Sequence, residues 1–241
     1  MADVFIYKDH IALANAVAES FIDIGNRSIN ERGRFSTVLA GGSTPRTIYQ
    51  LLAEVQKGIL DWEKVHFFWG DERSVPPEHP DSNYKMAFDS LLANISVPKT
   101  NIYRMEGELE PNIAAKRYEK AIQGFFDHEP KFDLILLGLG EDCHTASLFP
   151  GTEAIFEKRH WVIGHHLPKL DAWRLTLTPM LINQAREVIF IVSGKSKSAA
   201  LKKVLEGHYE PGKYPAQIIQ PESGHLSWMV DEAAASLFSK K

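Results

Sequence analysis

Six short apolar runs punctuate the chain, at residues 4–7, 36–40, 65–69, 132–137, 187–193 and 226–230. Runs of this length that are mainly apolar, rather than strictly alternating, suit strands buried on both faces of a parallel sheet. Between them the apolar spacing changes to that of helices. Asp9 is placed to cap a helix whose Ile11, Ala14, Ala18, Phe21 and Ile22 share one face. Ile48, Leu51 and Leu52 mark a second helix, residues 84–92 a third, and Ile113, Tyr118, Ile122 and Phe125 a fourth over 112–126. A fifth runs through Leu205. Residues 161–163 and 174–178 alternate as strands, Thr178-Pro179 opens a short helix to Asn183, and 102–104 reads as one more short strand. Asp231 is placed as the N-cap of a short terminal helix. Strands alternating with helices predict an α/β fold with a mainly parallel central sheet flanked by helices. The chain shows no internal repeat and no linker, so residues 1–241 are expected to form a single domain.

The ends of four predicted strands change the picture, because each passes abruptly from apolar to polar. In open α/β sheets the crevice beyond the carboxyl ends of the strands is where ligands bind. The second strand runs into Gly41-Gly-Ser-Thr-Pro45. Glycines at 41 and 42 let backbone approach a ligand, Ser43 and Thr44 offer hydroxyls, and a helix N-terminus supplies free N–H groups and partial positive charge, a combination that favours phosphate. A plain capped turn accounts for the same letters. The third strand ends in Asp71, Glu72 and Arg73, followed by a proline-rich loop through Pro76, Pro77 and Pro80 to Asn83, suited to a rigid substrate wall. The central strand ends in two glycines and then Glu141, Asp142, His144 and Thr145. Histidine, with an unperturbed pKa of about 6.5, suits proton transfer near neutrality. On spacing alone, Asp142 equally suits a cap for a helix starting at Thr145. Gly194-Lys-Ser-Lys197 follows the fifth run, where a lysine can pair with phosphate as a point charge.

Other motifs fail. A dinucleotide fingerprint on Gly138 and Gly140 needs a third glycine where Cys143 stands, and a P-loop on Gly194-Lys-Ser needs one where Ile189 stands. There is no Gly-x-Ser-x-Gly elbow and no His-Glu-x-x-His, and His165 and His166, adjacent on a strand, would face opposite ways. No metal site is expected.

Composition narrows the class. The hydrophobic fraction of 44% and charged fraction of 24% are ordinary for a globular protein that buries a core. A net charge of −4, without a basic block, argues against nucleic acid and anionic membrane as partners. The single cysteine, Cys143, rules out an internal disulfide framework, and no apolar run reaches membrane-spanning length, so a cytoplasmic protein is expected. A small phosphorylated molecule and base-promoted attack by water is the simplest chemistry for the four strand ends.

Taken together, five segments resemble the 6-phosphogluconolactonase family, in family order: the stretch ending Gly-Gly-Ser-Thr-Pro45, Trp69-Gly-Asp-Glu-Arg-Ser-Val-Pro76, residues 137–151 with Asp142, His144 and Ala-Ser-Leu-Phe-Pro-Gly151, Arg174-Leu-Thr-Leu-Thr-Pro179, and Val-Ser-Gly-Lys-Ser-Lys197. The resemblance spans nearly the whole chain. It implies a modified Rossmann-like α/β sandwich, shared with glucosamine-6-phosphate deaminases and ribose-5-phosphate isomerases. It also implies hydrolysis of 6-phosphoglucono-δ-lactone to 6-phosphogluconate in the pentose phosphate pathway, without a cofactor. His144 matches the family's general base, and Ser43, Thr44, Arg73 and Lys197, with Gly42 beside them, match positions expected to hold the phosphate. Asp142 and Asp71 are expected to orient His144 or the sugar hydroxyls. One position departs: the family usually has glycine where Cys143 stands, and a side chain there costs roughly 1–2 kcal/mol if the backbone is left-handed. Two other readings remain: a deaminase or isomerase on the same fold, and a non-catalytic sugar-phosphate sensor.

Overall fold

Nine strands and six α-helices follow one another in a computed structural model that describes residues 2–55, 58–126 and 128–239. In chain order they are β1 (Asp3–Tyr7), α1 (His10–Arg32), β2 (Phe35–Leu39), α2 (Ser43–Ala53), β3 (Val65–Trp69), β4 (Asp71–Arg73), α3 (Asn83–Ser90), α4 (Pro111–Phe125), β5 (Leu134–Gly138), β6 (Val162–Leu167), β7 (Ala172–Leu177), α5 (Pro179–Ile182), β8 (Glu187–Val192), α6 (Ser198–Glu206) and β9 (His225–Asp231). Six strands form one sheet in the order β1-β9-β8-β5-β2-β3, every pair parallel. The expected α/β architecture is therefore present. The chain moves outward from β2 to β3 on one side and returns to β5 on the other, so the topological switch falls between β2 and β5. That is where an open parallel sheet leaves a crevice.

The core lies on both faces of this sheet, which is why its strands read as continuous apolar runs. Leu134 and Leu136 of β5 pack with Phe21, Ile48 and Trp69 on the face covered by α1 and α2, while Ile135 and Leu137 pack with Tyr118, Phe190 and Leu201 on the other. Asp9 caps α1 through its carboxylate, which accepts from the Ala12 backbone N–H at 2.9 Å. Two buried tyrosines tie helices to strand ends beside the crevice. The Tyr49 hydroxyl donates to the Ala40 carbonyl and accepts from the Ala40 N–H, both at 2.9 Å, and Tyr118 does the same at Trp69, accepting at 2.7 Å and donating at 3.1 Å. Burial pushes both phenols far above their ordinary range.

Residues 71–73, expected as the charged end of the third strand, form a separate strand, β4, which pairs antiparallel with β7, and β7 with β6, as a second, three-stranded sheet. The switch happens at Gly70, whose N–H still bonds to Leu39 while its carbonyl accepts from Leu177 of the small sheet at 2.8 Å. Residues 102–104 are not a strand, because only Ile102 bridges to Phe67 and the backbone then leaves the sheet edge. No helix starts at Thr145. Cys143 (φ 69°) and Ala146 (φ 46°) both adopt left-handed backbone, which a helix cannot accommodate, and Thr145 and Leu148 close a turn instead. Among the described residues no helix is long and apolar enough to cross a membrane.

Candidate active site

The four polar strand ends belong to β8, β5, β2 and β3, which lie side by side in the sheet. Their loops surround a cleft of about 210 Å³ whose lining includes Gly42, Asp71, Arg73, His144 and Lys197. Five of the eight expected site residues thus meet in one place. Ser43 and Thr44 follow Gly42 at the start of α2 but do not line the cleft; Ser43 is exposed and Thr44 half-buried. Asp142 stands behind His144 rather than in the lining.

The loop after β5 is built around His144. Its Nδ1 lies 2.6 Å from Asp142 Oδ1, and its backbone N–H donates to the same oxygen at 3.2 Å. A carboxylate can only accept, so the ring is held as the Nδ1–H tautomer, with the Nε2 lone pair free. Burial alone would raise the Asp142 carboxyl, but the hydrogen bond and charge of His144 outweigh it and hold the group below the usual carboxylate range. The imidazole also stacks on Phe149, 4.1 Å between ring centres and tilted by 20°. Gly140 makes room for it: a Cβ there would sit 2.1 Å from Nδ1. Any side chain at 140 therefore displaces the ring.

Ser147 fastens this loop to all three strands of the small sheet. Its hydroxyl donates to Asp71 Oδ2 of β4 at 2.7 Å, its N–H donates to Thr176 Oγ1 of β7 at 3.2 Å, and its carbonyl accepts from His165 Nε2 of β6 at 2.9 Å. Burial lowers the His165 pKa; the bond to Ser147 opposes that and Arg174, its cross-strand neighbour, reinforces it. Asp71 also accepts from Asn83 Nδ2 at 3.2 Å, so its partners are Ser147 and Asn83, while Asp142 alone orients His144.

Two contributors escaped the sequence. Glu72 is not a surface charge: it is 2% exposed and accepts from the backbone N–H groups of Arg73, Asn83 and Tyr84, each at 2.8 Å, and from the Ser82 hydroxyl at 3.0 Å. Burial raises its pKa despite those bonds. It anchors the proline-rich loop and the start of α3, and so places Asn83 in the cleft wall. Gly41 is required by Asn83, since a Cβ there would lie 2.0 Å from the amide oxygen. The double glycine after β2 hinted at close approach, but only the fold shows that a side chain from α3 is what approaches.

At the strand ends on either side of the His144 loop stand the two cations: Arg73 donates to the carbonyl of Asp81 and pairs with no carboxylate among the described residues. Lys197 stands 3.9 Å from the largely exposed Glu141, a distance at which the ammonium remains open to another anion. The cleft therefore gathers a histidine with a free lone pair, two cations and the Gly41-Gly42 backbone that leads into α2.

The family described as glucosamine-6-phosphate isomerases/6-phosphogluconolactonase matches residues 8–228. The chain belongs to this family. A 6-phosphogluconolactonase of Synechocystis is 44% identical over 214 residues, covering 86% of each chain, and one of Nostoc is 39% identical over 242 residues, covering 98% of each. The solved structure of 6-phosphogluconolactonase from Trypanosoma cruzi superimposes with a TM-score of 0.87 at 29% identity, over 99% of this chain and 97% of that one.

Cys143 is the departure within this family resemblance, and its backbone is left-handed, as glycine would favour. The thiol points into the core beneath α6, 1% exposed, with Sγ 3.8 Å from the Ala200 carbonyl. Burial pushes its pKa up, Lys203 pulling it down and Asp142 up to lesser degrees. A buried thiol with a raised pKa is a poor nucleophile. Replacing Cys143 by glycine relieves roughly 1–2 kcal/mol of backbone strain and forfeits a similar amount of buried packing and chain rigidity. Turnover of Cys143→Gly is therefore expected to match or exceed that of the parent in a lactonase assay; a collapse would point to the thiol as the reacting group.

Proposed function

We infer that the protein hydrolyses 6-phospho-D-glucono-1,5-lactone to 6-phospho-D-gluconate, the lactone-opening step of the oxidative pentose phosphate pathway. The observation that carries this reading is the Asp142–His144 pair, fixed with Nε2 free, in a cleft whose lining also presents Arg73, Lys197 and Gly42 at the N-terminus of α2. His144 Nε2 takes a proton from water as the oxygen attacks the lactone carbonyl. The resulting imidazolium, stabilised by Asp142, returns that proton to the ring oxygen as the C–O bond breaks. Water is consumed, one carboxylic acid and one hydroxyl are formed, and the enzyme ends as it began. The phosphate, remote from the reacting carbon, is held by Lys197, Arg73 and the Gly42-Ser43-Thr44 turn, where backbone N–H groups and the helix dipole favour a dianion. Asp71 lines the wall where sugar hydroxyls lie. The whole chain, 1–241, acts as one catalytic unit in the cytoplasm, a compartment suited to its one unpaired thiol.

The decisive experiment offers the protein two sugar phosphates. Lactone hydrolysis well above the spontaneous rate, with no ammonia from glucosamine 6-phosphate, is expected. Vigorous ammonia release would assign the cleft to the deaminase branch of the family, and binding of 6-phosphogluconate without turnover would make the protein a sensor.

A further inference from the structure

A chain of hydrogen bonds joins the two loops that flank the phosphate end of the cleft, and its central link is His10, the first residue of α1. At one end Asp231, 3% exposed at the close of β9, accepts from the Ser193 hydroxyl at 2.5 Å, from the Gly194 N–H at 3.0 Å and from the Ala234 N–H at 2.7 Å. Ser193 and Gly194 lead into the turn Lys195–Lys197, closed by the Lys197 N–H on the Gly194 carbonyl at 3.0 Å. His10 Nδ1 lies 3.1 Å from Ser193 Oγ, and His10 Nε2 lies 3.0 Å from Thr47 Oγ1. Thr47 stands one helical turn beyond Ser43 on α2.

The donors settle the direction of each bond. The Ser193 proton goes to the carboxylate, so Ser193 Oγ must accept from His10 Nδ1–H. In the neutral ring Nε2 is then the acceptor, and the Thr47 hydroxyl donates to it. Both ring nitrogens are engaged, one with the end of β8 and one with α2. These elements are not neighbours in the sheet, since β5 lies between β8 and β2. The imidazole thus spans the end of the strand that carries the catalytic loop and joins the element bearing Lys197 to the element bearing Gly42.

We propose that His10 is a positioning residue for the phosphate subsite, setting the span between the α2 N-terminus and the Lys197 turn. This rests on the assignment of those two elements to the substrate's phosphate. An anion held from two sides is bound well only when the separation of its donors is fixed beforehand. His10 touches no substrate atom in this account, and its effect is confined to substrates that carry the phosphate.

The test compares His10→Ala, Thr47→Val and the double variant, with Lys197→Ala as the reference, on 6-phosphogluconolactone and on unphosphorylated gluconolactone. Thr47→Val is nearly isosteric and cuts only the α2 arm, so it serves even where His10→Ala folds poorly. Each single variant is expected to raise KM for the phosphorylated lactone about 3- to 10-fold, with kcat little changed. The double variant should be no worse than the more affected single one, because both break the same bridge. On the unphosphorylated lactone kcat/KM should stay within about 2-fold, the experimental scatter of sites not in contact. Equal losses on both lactones, additive losses in the double variant, or an unchanged KM while Lys197→Ala raises it would overturn the positioning role. An unchanged KM in Lys197→Ala itself would remove the phosphate assignment, and this inference with it.

Discussion

Alanine in place of His144 is expected to lower kcat for 6-phosphogluconolactone by about 10²–10⁴-fold, the range that a positioned general base supplies, with KM changed far less. The reason is geometric. His144 is the titratable base in the cleft lining with an available lone pair, since its Nδ1 is held by Asp142 at 2.6 Å and its ring lies flat on Phe149. The residues proposed to hold the phosphate come from other strand ends and do not depend on the imidazole, so ground-state binding is expected to survive its removal. Asp142→Asn tests the same unit from behind. The amide keeps the shape, but it either presents N–H to Nδ1, forcing the wrong tautomer, or accepts through a neutral oxygen that stabilises the imidazolium poorly. A fall of about 10- to 100-fold is expected for an orienting partner of this kind, and the double variant His144→Ala/Asp142→Asn should be no slower than His144→Ala alone. Steady-state assays with the spontaneous hydrolysis subtracted decide the matter. A kcat for His144→Ala near that of the parent would move the base elsewhere.

Lys197→Ala should show the opposite signature, a KM for the phosphorylated lactone raised about 10- to 100-fold with kcat changed much less. A hydrogen bond to a charged group contributes roughly 1.5–3 kcal/mol, and every 1.4 kcal/mol is a factor of ten in affinity. Competition from Glu141 is slight, because a pair at 3.9 Å with one partner largely exposed is weak and screened. The effect should shrink at high salt and vanish with unphosphorylated gluconolactone, whereas the His144 effect should persist on both. If Lys197→Ala lowered kcat on both lactones alike, the lysine would belong to the reacting centre and the phosphate would have to be placed against Arg73 alone.

How much of this was legible beforehand follows from the length scale of each interaction. The strands of the main sheet could be read because burial on both faces forces largely apolar runs, and Leu134 to Leu137 is such a run. The start of α1 could be read because its cap is local: Asp9 bonds three residues on. His144, Asp142, Arg73 and Lys197 stood out because each follows directly on the carboxyl end of a strand, and in a parallel sheet those ends converge. The misreadings share one cause. That residues 71–73 form a strand of their own is not legible, because a three-residue strand has no periodicity; its partner β7 lies about a hundred residues away. The helix imagined at Thr145 failed because nothing local announces two non-glycine residues in left-handed backbone, a state that the packing of His144, Ser147 and the Cys143 thiol imposes.

What the sequence determined by itself, then, is the alternation of buried strands and amphipathic helices, and hence a parallel sheet with polar groups gathered at one edge. These follow from hydrophobic burial and from caps that act over a few residues. What only the tertiary structure decided is which groups face one another: Glu72 turned inward under four donors, Ser147 pinned across three strands, Asn83 pressed onto Gly41, and His10 joining β8 to α2. Each depends on a contact between residues ten or more positions apart, with no regular spacing to reveal the partners, and each is fixed only once the surrounding core has formed.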